Sequence, residues 1–112
     1  MTTIVHFLKS IRTGGLFMKY LFSYTVDFSK AKTWRDIHTI IKQDLDFPAY
    51  YGENLDALWD CLGEMTDSII DIKGVHNTPN SKEFQVELEE VLEVFREAQQ
   101  EFAEFITITF VD

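Results

Sequence analysis

Three short runs rich in aromatic and β-branched residues, Tyr20–Phe28 (YLFSYTVDF), Ser68–Ile72 (SIIDI) and Phe105–Val111 (FITITFV), are separated by segments with helical spacing. Strands kept apart in this way cannot be joined by tight hairpins. Each link has to cross over the sheet, which favours parallel pairing and right-handed connections. The expected fold class is therefore α/β, a small three-stranded parallel sheet covered by helices.

The intervening segments support this order. Trp34, Ile37, Ile40, Ile41 and Leu45 recur at helical spacing, and Thr33 offers an N-cap with Asp36 three residues on, so a helix is expected over Thr33–Leu45. Phe47-Pro48 stops it. A loop, Pro48–Glu53, follows, in which Gly52 is expected to be free to take a positive φ. Asn54 is a good N-cap for a second helix reaching about Leu62 or Met65. Lys73–Asn80, with Gly74, Asn77, Pro79 and Asn80, reads as a loop. Phe84, Leu88, Val91, Phe95, Ala98 and Phe102 then mark a long third helix. The sequence shows no internal repeat and no low-complexity segment.

At 112 residues and 46% hydrophobic content, the chain fits one domain with one core. The first seventeen residues differ from the rest, with Lys9 and Arg12 and no acid. Gly14-Gly15 just before Met18 is what a ribosome-binding site in the gene could encode. Residues 1–17 are thus expected to be a weakly ordered N-terminal extension, native or not, and residues 18–112 the domain proper. The lone cysteine, Cys61, cannot form an internal disulfide, which fits a reducing compartment. There is no transmembrane run, and Thr2–Leu8 is too short and lacks the cleavage site of a signal peptide. A cytoplasmic location and no membrane association are expected.

Charge narrows the function. Ten Lys and Arg against nineteen Asp and Glu leave a net charge of -9, which argues against nucleic acid as a direct ligand because phosphates are repelled. Between Lys42 and Lys73 no Lys or Arg occurs, while Asp44, Asp46, Glu53, Asp56, Asp60, Glu64, Asp67 and Asp71 do, interleaved with Phe47, Tyr50, Tyr51 and Trp59. A merely solubilising acidic stretch lacks such large aromatics. Exposed aromatic area is a liability unless a partner covers it, so this stretch reads as a surface for something strongly basic.

Within the second helix, Leu55, Leu58 and Leu62 fall on one side, and Asp56 and Asp60 on the other. Like charges four residues apart cost an isolated helix roughly 0.2–0.5 kcal/mol. Asp56 is helped by the helix dipole; Asp60 is not. Trp59 lies between the two faces. A pair of acids on a helix is in general more often a solvated face than a site, and here Trp59, Tyr50 and Tyr51 tilt the reading toward binding. As catalytic groups the two carboxyls sit closer than glycosidase pairs, and a Ca²⁺ or Mg²⁺ site lacks its loop of oxygen ligands, so no catalysis, metal or cofactor is expected. Cys61 beside Asp60 reads as a small packed thiol, since an acid next to it disfavours the thiolate. His6, His38 and His76 show no spacing that suggests a site. Glu90, Glu93, Glu97 and Glu101 read as a solvated helix face.

The run from Pro48 to Leu62 (PAYYGENLDALWDCL) closely resembles the signature of the barstar family of intracellular ribonuclease inhibitors. Val91–Ala98 (VLEVFREA) and the C-terminal ITIT strand are similar to the corresponding family elements, so that the resemblance covers about Met18–Asp112. It implies a non-enzymatic inhibitor whose acidic loop and helix block a barnase-like, basic ribonuclease in a 1:1 complex, the free protein being a monomer. It implies that Asp60 is the principal mimic of a substrate phosphate. Asp56 and Tyr50 would contact the enzyme beside it, Gly52, Asn54, Leu55 and Trp59 would shape the contact, and Glu97 would add a peripheral acid.

The chain departs from that pattern in places. Met65 stands where the family has a contacting tryptophan, Asp71–Ser81 matches poorly, and the second family cysteine is missing. These departures bear on the partner more than on the fold. The alternative is a barstar-like interaction or immunity module for a different basic partner, such as another nuclease toxin.

Overall fold

The computed structural model describes residues 22–111, so the expectations for residues 1–17, Met18 and Tyr20 lie outside the described residues. Strand β1 (Phe22–Asp27) runs into a 3-10 turn (Phe28–Lys30), followed by α1 (Asp36–Asp44) and α2 (Leu55–Gly63). Then come β2 (Ser68–Lys73), a second 3-10 turn (Val75–Asn77), α3 (Lys82–Glu101) and β3 (Ile106–Phe110). The sheet has the order β1-β2-β3 and is parallel throughout. It is the small helix-covered parallel sheet expected from the alternation of segments.

Two crossovers that step across a sheet in the same direction, both right-handed, lay their helices on the same face. Burial agrees with this. The row Tyr24, Ile70, Ile108 and the neighbouring Val26 and Ile72 point into the core, whereas Thr25, Asp71 and Thr109 share the opposite face. The core itself joins these strand residues to Ile37 and Ile41 of α1, Leu58 and Leu62 of α2, and Phe84, Leu88, Val91 and Phe95 of α3.

Among the described residues β3 is an edge strand, and its outer edge is partly satisfied by a side chain. Gln99 of α3 donates from Nε2 to the Ile106 carbonyl at 3.3 Å, and its Oε1 accepts from the Ile108 N–H. An amide placed there mimics a neighbouring strand and blunts an edge that is otherwise a template for aggregation.

Two local expectations need correction. The first helix starts at Asp36, not at Thr33, and Trp34 is 40% exposed instead of lying in the core. Asp36 turns its carboxylate back to accept from the N–H groups of Lys32 and Thr33 at 2.7 and 3.0 Å, which stabilises a turn ahead of the helix. The spacing carried Trp34 into the helical pattern, although its backbone belongs to that turn. The long helix likewise ends at Glu101, and Phe102 is its C-cap residue.

Candidate functional site

The loop between α1 and α2 is bracketed by two acids in the left-handed region, Asp46 (φ 57°) and Glu53 (φ 54°). The positive φ thus falls on Glu53, and the expectation that Gly52 would take it is corrected. What Gly52 provides is closeness: a Cβ there would stand 3.3 Å from Asn54 Nδ2 and 3.5 Å from Ala57 Cβ. Asn54 has the extended backbone of an N-cap and accepts from the Ala57 N–H at 2.8 Å, while its amide reaches the Gly52 carbonyl at 3.3 Å. One side chain therefore both starts α2 and fixes the end of the loop.

Within the loop, adjacent tyrosines part company. Tyr50 is 81% exposed. Tyr51, grouped with the exposed aromatics from the sequence, is buried: its ring lies 5.1 Å from that of Phe47, and its hydroxyl sits 2.6 Å from His38 Nδ1. On the other side of that imidazole, Nε2 lies 3.3 Å from Glu87 Oε2 on α3. Burial pushes His38 below its ordinary value, outweighing the opposing pull of Glu87 and Glu53. Burial also raises the Tyr51 hydroxyl, with Cys61, Glu53 and Glu87 adding to it. Lys42 completes the anchorage, with Nζ 3.4 Å from the Ala49 carbonyl.

Helix α2 presents the two faces expected of it. Leu58 and Leu62 are buried and Leu55 is half-buried, while Asp56 and Asp60 are exposed. Among the described residues, ion pairs join Lys30 with Asp44, and Arg96 with Glu89 and Glu93; Asp56 and Asp60 take part in none of them, nor in the contact between His38 and Glu87. Trp59 is half-buried, and its ring lies 4.9 Å from Phe102 at an angle of 45°. Burial, then Glu64 and Asp60, raise the Cys61 thiol, in keeping with an inert packed side chain. Met65 is half-buried against the core.

The structure thus gathers Tyr50, Gly52, Asn54, Leu55, Asp56, Trp59 and Asp60 on one loop and the helix it starts. Glu97 is exposed on α3, the helix against which α2 packs. Sequence reasoning missed His38 and Glu87 as supports of the loop and Phe102 as the partner of Trp59. His38 and Glu87 lie on different helices, and no spacing rule joins them. Among the described residues no cluster of His, Cys, Asp and Glu could hold a metal ion, and no helix is long and apolar enough to cross a membrane.

The family described as Barstar (barnase inhibitor) matches residues 21–111, most of the chain. The chain belongs to the barstar family. It is also 46% identical over 66 residues to the Bacillus subtilis (strain 168) protein named "Putative ribonuclease inhibitor YrdF", covering 58% of this chain and 71% of that protein. All eight residues singled out from the sequence fall within the family match.

Proposed function

We propose that this barstar-family chain is an intracellular inhibitor that closes the active site of a basic, barnase-like ribonuclease in a 1:1 complex. Exposed Asp60 and Asp56, outside every ion pair formed among the described residues and carried on a helix whose start is fixed by Asn54, support that reading most directly. A ribonuclease site gathers cationic groups to hold a phosphodiester and to stabilise charge developing on it. Carboxylates on a rigid helix satisfy such a site and offer nothing to cleave. Asp60 takes the place of a substrate phosphate, and Asp56 contacts the same basic surface. Tyr50 and Trp59 supply aromatic anchors of the type enriched at binding hot spots. Gly52, Asn54 and Leu55 shape the contact, and Glu97 adds a peripheral charge. The inhibitor portion is the domain over residues 18–112.

The net charge of -9 speeds encounter with a cationic enzyme and makes the association rate fall with salt. The test is titration of RNA cleavage by a panel of small basic ribonucleases. Activity is expected to fall linearly to zero at one equivalent of this protein. Unchanged cleavage across the panel at excess protein, with binding to another basic nuclease toxin, would favour the immunity-module alternative.

A further inference from the structure

His38 is buried where the ribonuclease-facing loop meets α1 and α3, and both of its ring nitrogens are engaged. The Glu87 carboxylate can only accept, so Nε2 carries the hydrogen. Nδ1 then presents a lone pair, and the Tyr51 hydroxyl must donate to it. One tautomer satisfies all three groups, and none of the described buried side-chain nitrogens and oxygens is left without a partner.

We propose that His38, Tyr51 and Glu87 act as positioning residues that hold the Pro48–Asn54 loop in its binding shape only while the imidazole is neutral, so that acidification releases the basic partner. The inference rests on the proposed inhibitor function and concerns regulation of the same site.

A proton taken from solvent goes to Nδ1, the basic nitrogen of the neutral ring, which until then accepts from Tyr51. Nδ1 then becomes a donor facing a donor. The Tyr51 hydroxyl has to turn its hydrogen away from Nδ1 and accept instead, so the bond it donates to the neutral ring is lost in a buried place. Tyr51 is the inward anchor of the loop, and Tyr50 beside it is the outward contact, so a loosened Tyr51 blurs the position of Tyr50. The groups facing the relay are Glu87 from α3, Tyr51 and Glu53 from the loop, and Cys61 from α2, which faces Tyr51. The acids favour the charged ring, but burial opposes it and prevails. A cationic partner seated on the loop opposes it further. Protonation and binding are therefore antagonistic, and affinity rises with pH through the titration of His38.

Two arms test this. In the free protein, NMR should show the Nε2–H tautomer of His38 at about pH 7.5, and a titration toward about pH 4.5 in which protection of the Tyr51 amide, which is bonded to the Pro48 carbonyl, corrected for intrinsic exchange, falls about threefold or more. His38→Gln should lack that fall. Tyr51→Phe, which removes one oxygen and keeps the ring buried, should lose protection at neutral pH and show little further change. Loop protection that stays constant while the ring titrates, or a ring that does not titrate in this range, overturns the proposal.

In the second arm, the Kd for a ribonuclease inhibited at neutral pH is measured across the same range. Titrating groups of the enzyme are common to wild type and variants and cancel in the comparison. The wild-type Kd should weaken about threefold more than that of His38→Gln or Tyr51→Phe, one pKa unit of coupling being tenfold in affinity. Equal pH slopes overturn the regulatory claim. If no ribonuclease is inhibited at neutral pH, the inhibitor reading and the claim of partner release both fail, whereas the first arm still decides whether the relay holds the loop.

Discussion

The ring of Trp59 packs at 4.9 Å and 45° on that of Phe102, which joins the acid-bearing helix α2 to the C-terminal end of α3. Phe102 also covers the end of α2, since a Cβ on Gly63 would meet its Cζ at 3.0 Å. Phe102→Ala should destabilise the protein by about 1–2 kcal/mol, less than for a fully buried ring because this one is half-exposed. It should also shift Trp59 emission to longer wavelength, best read with Trp34 replaced by Phe. Unchanged emission would mean that Phe102 does not hold the indole.

Asp60 and Leu58 share a helix and should fail in different ways. Asp60→Ala removes an exposed charge, so thermal melts should be unchanged or slightly higher as repulsion from Asp56 is relieved. Calorimetric titration should show binding to the partner weakened by at least ~2 kcal/mol. Leu58 is fully buried, and Leu58→Ala should cost roughly 2–5 kcal/mol of stability through a core cavity, affecting binding only as the fold is lost. Should Asp60→Ala unfold the protein, or leave partner affinity intact, α2 is not the inhibitory element.

Asn54 links loop and helix through two hydrogen bonds. Asn54→Ala should cost about 1 kcal/mol from the lost cap alone. Asn54→Asp keeps the accepting oxygen and should recover most of that in urea denaturation. If the two variants melt alike, and both well below wild type, the bond from the amide to Gly52 matters more than the cap.

The stability of the free protein should also depend on pH through His38. Its folded value lies below the ordinary 6.5, so the unfolded chain takes up a proton first as pH falls. The contribution of the neutral ring is complete above 6.5 and is lost progressively as pH drops from 6.5 to the lower folded value. Urea midpoints should fall across that window in wild type, and fall less in His38→Gln. A wild-type midpoint that holds steady or rises there would contradict the sign given to His38.

Much of the architecture was legible in the chain because it follows from local rules. Parallel pairing followed from strands separated by helices, and the Asn54 cap from a residue type in front of an amphipathic run. The outward placement of Asp56 and Asp60 followed from helical spacing alone. Trp34 misled because hydrophobic spacing continues through a turn as readily as through a helix, and only the Asp36 carboxylate reveals where the helix begins.

The site divides along the same line. Residue types and spacing by themselves determined an acidic, aromatic-bearing helix after a short loop, since these depend on neighbours within one or two turns. Only the tertiary structure decided which of the two adjacent tyrosines faces inward. It alone brought Tyr51 and Glu87 to either side of the His38 ring and laid Phe102 on Trp59. Contacts between side chains on separate elements arise from how the helices pack on the sheet, and no periodicity within a single element encodes them.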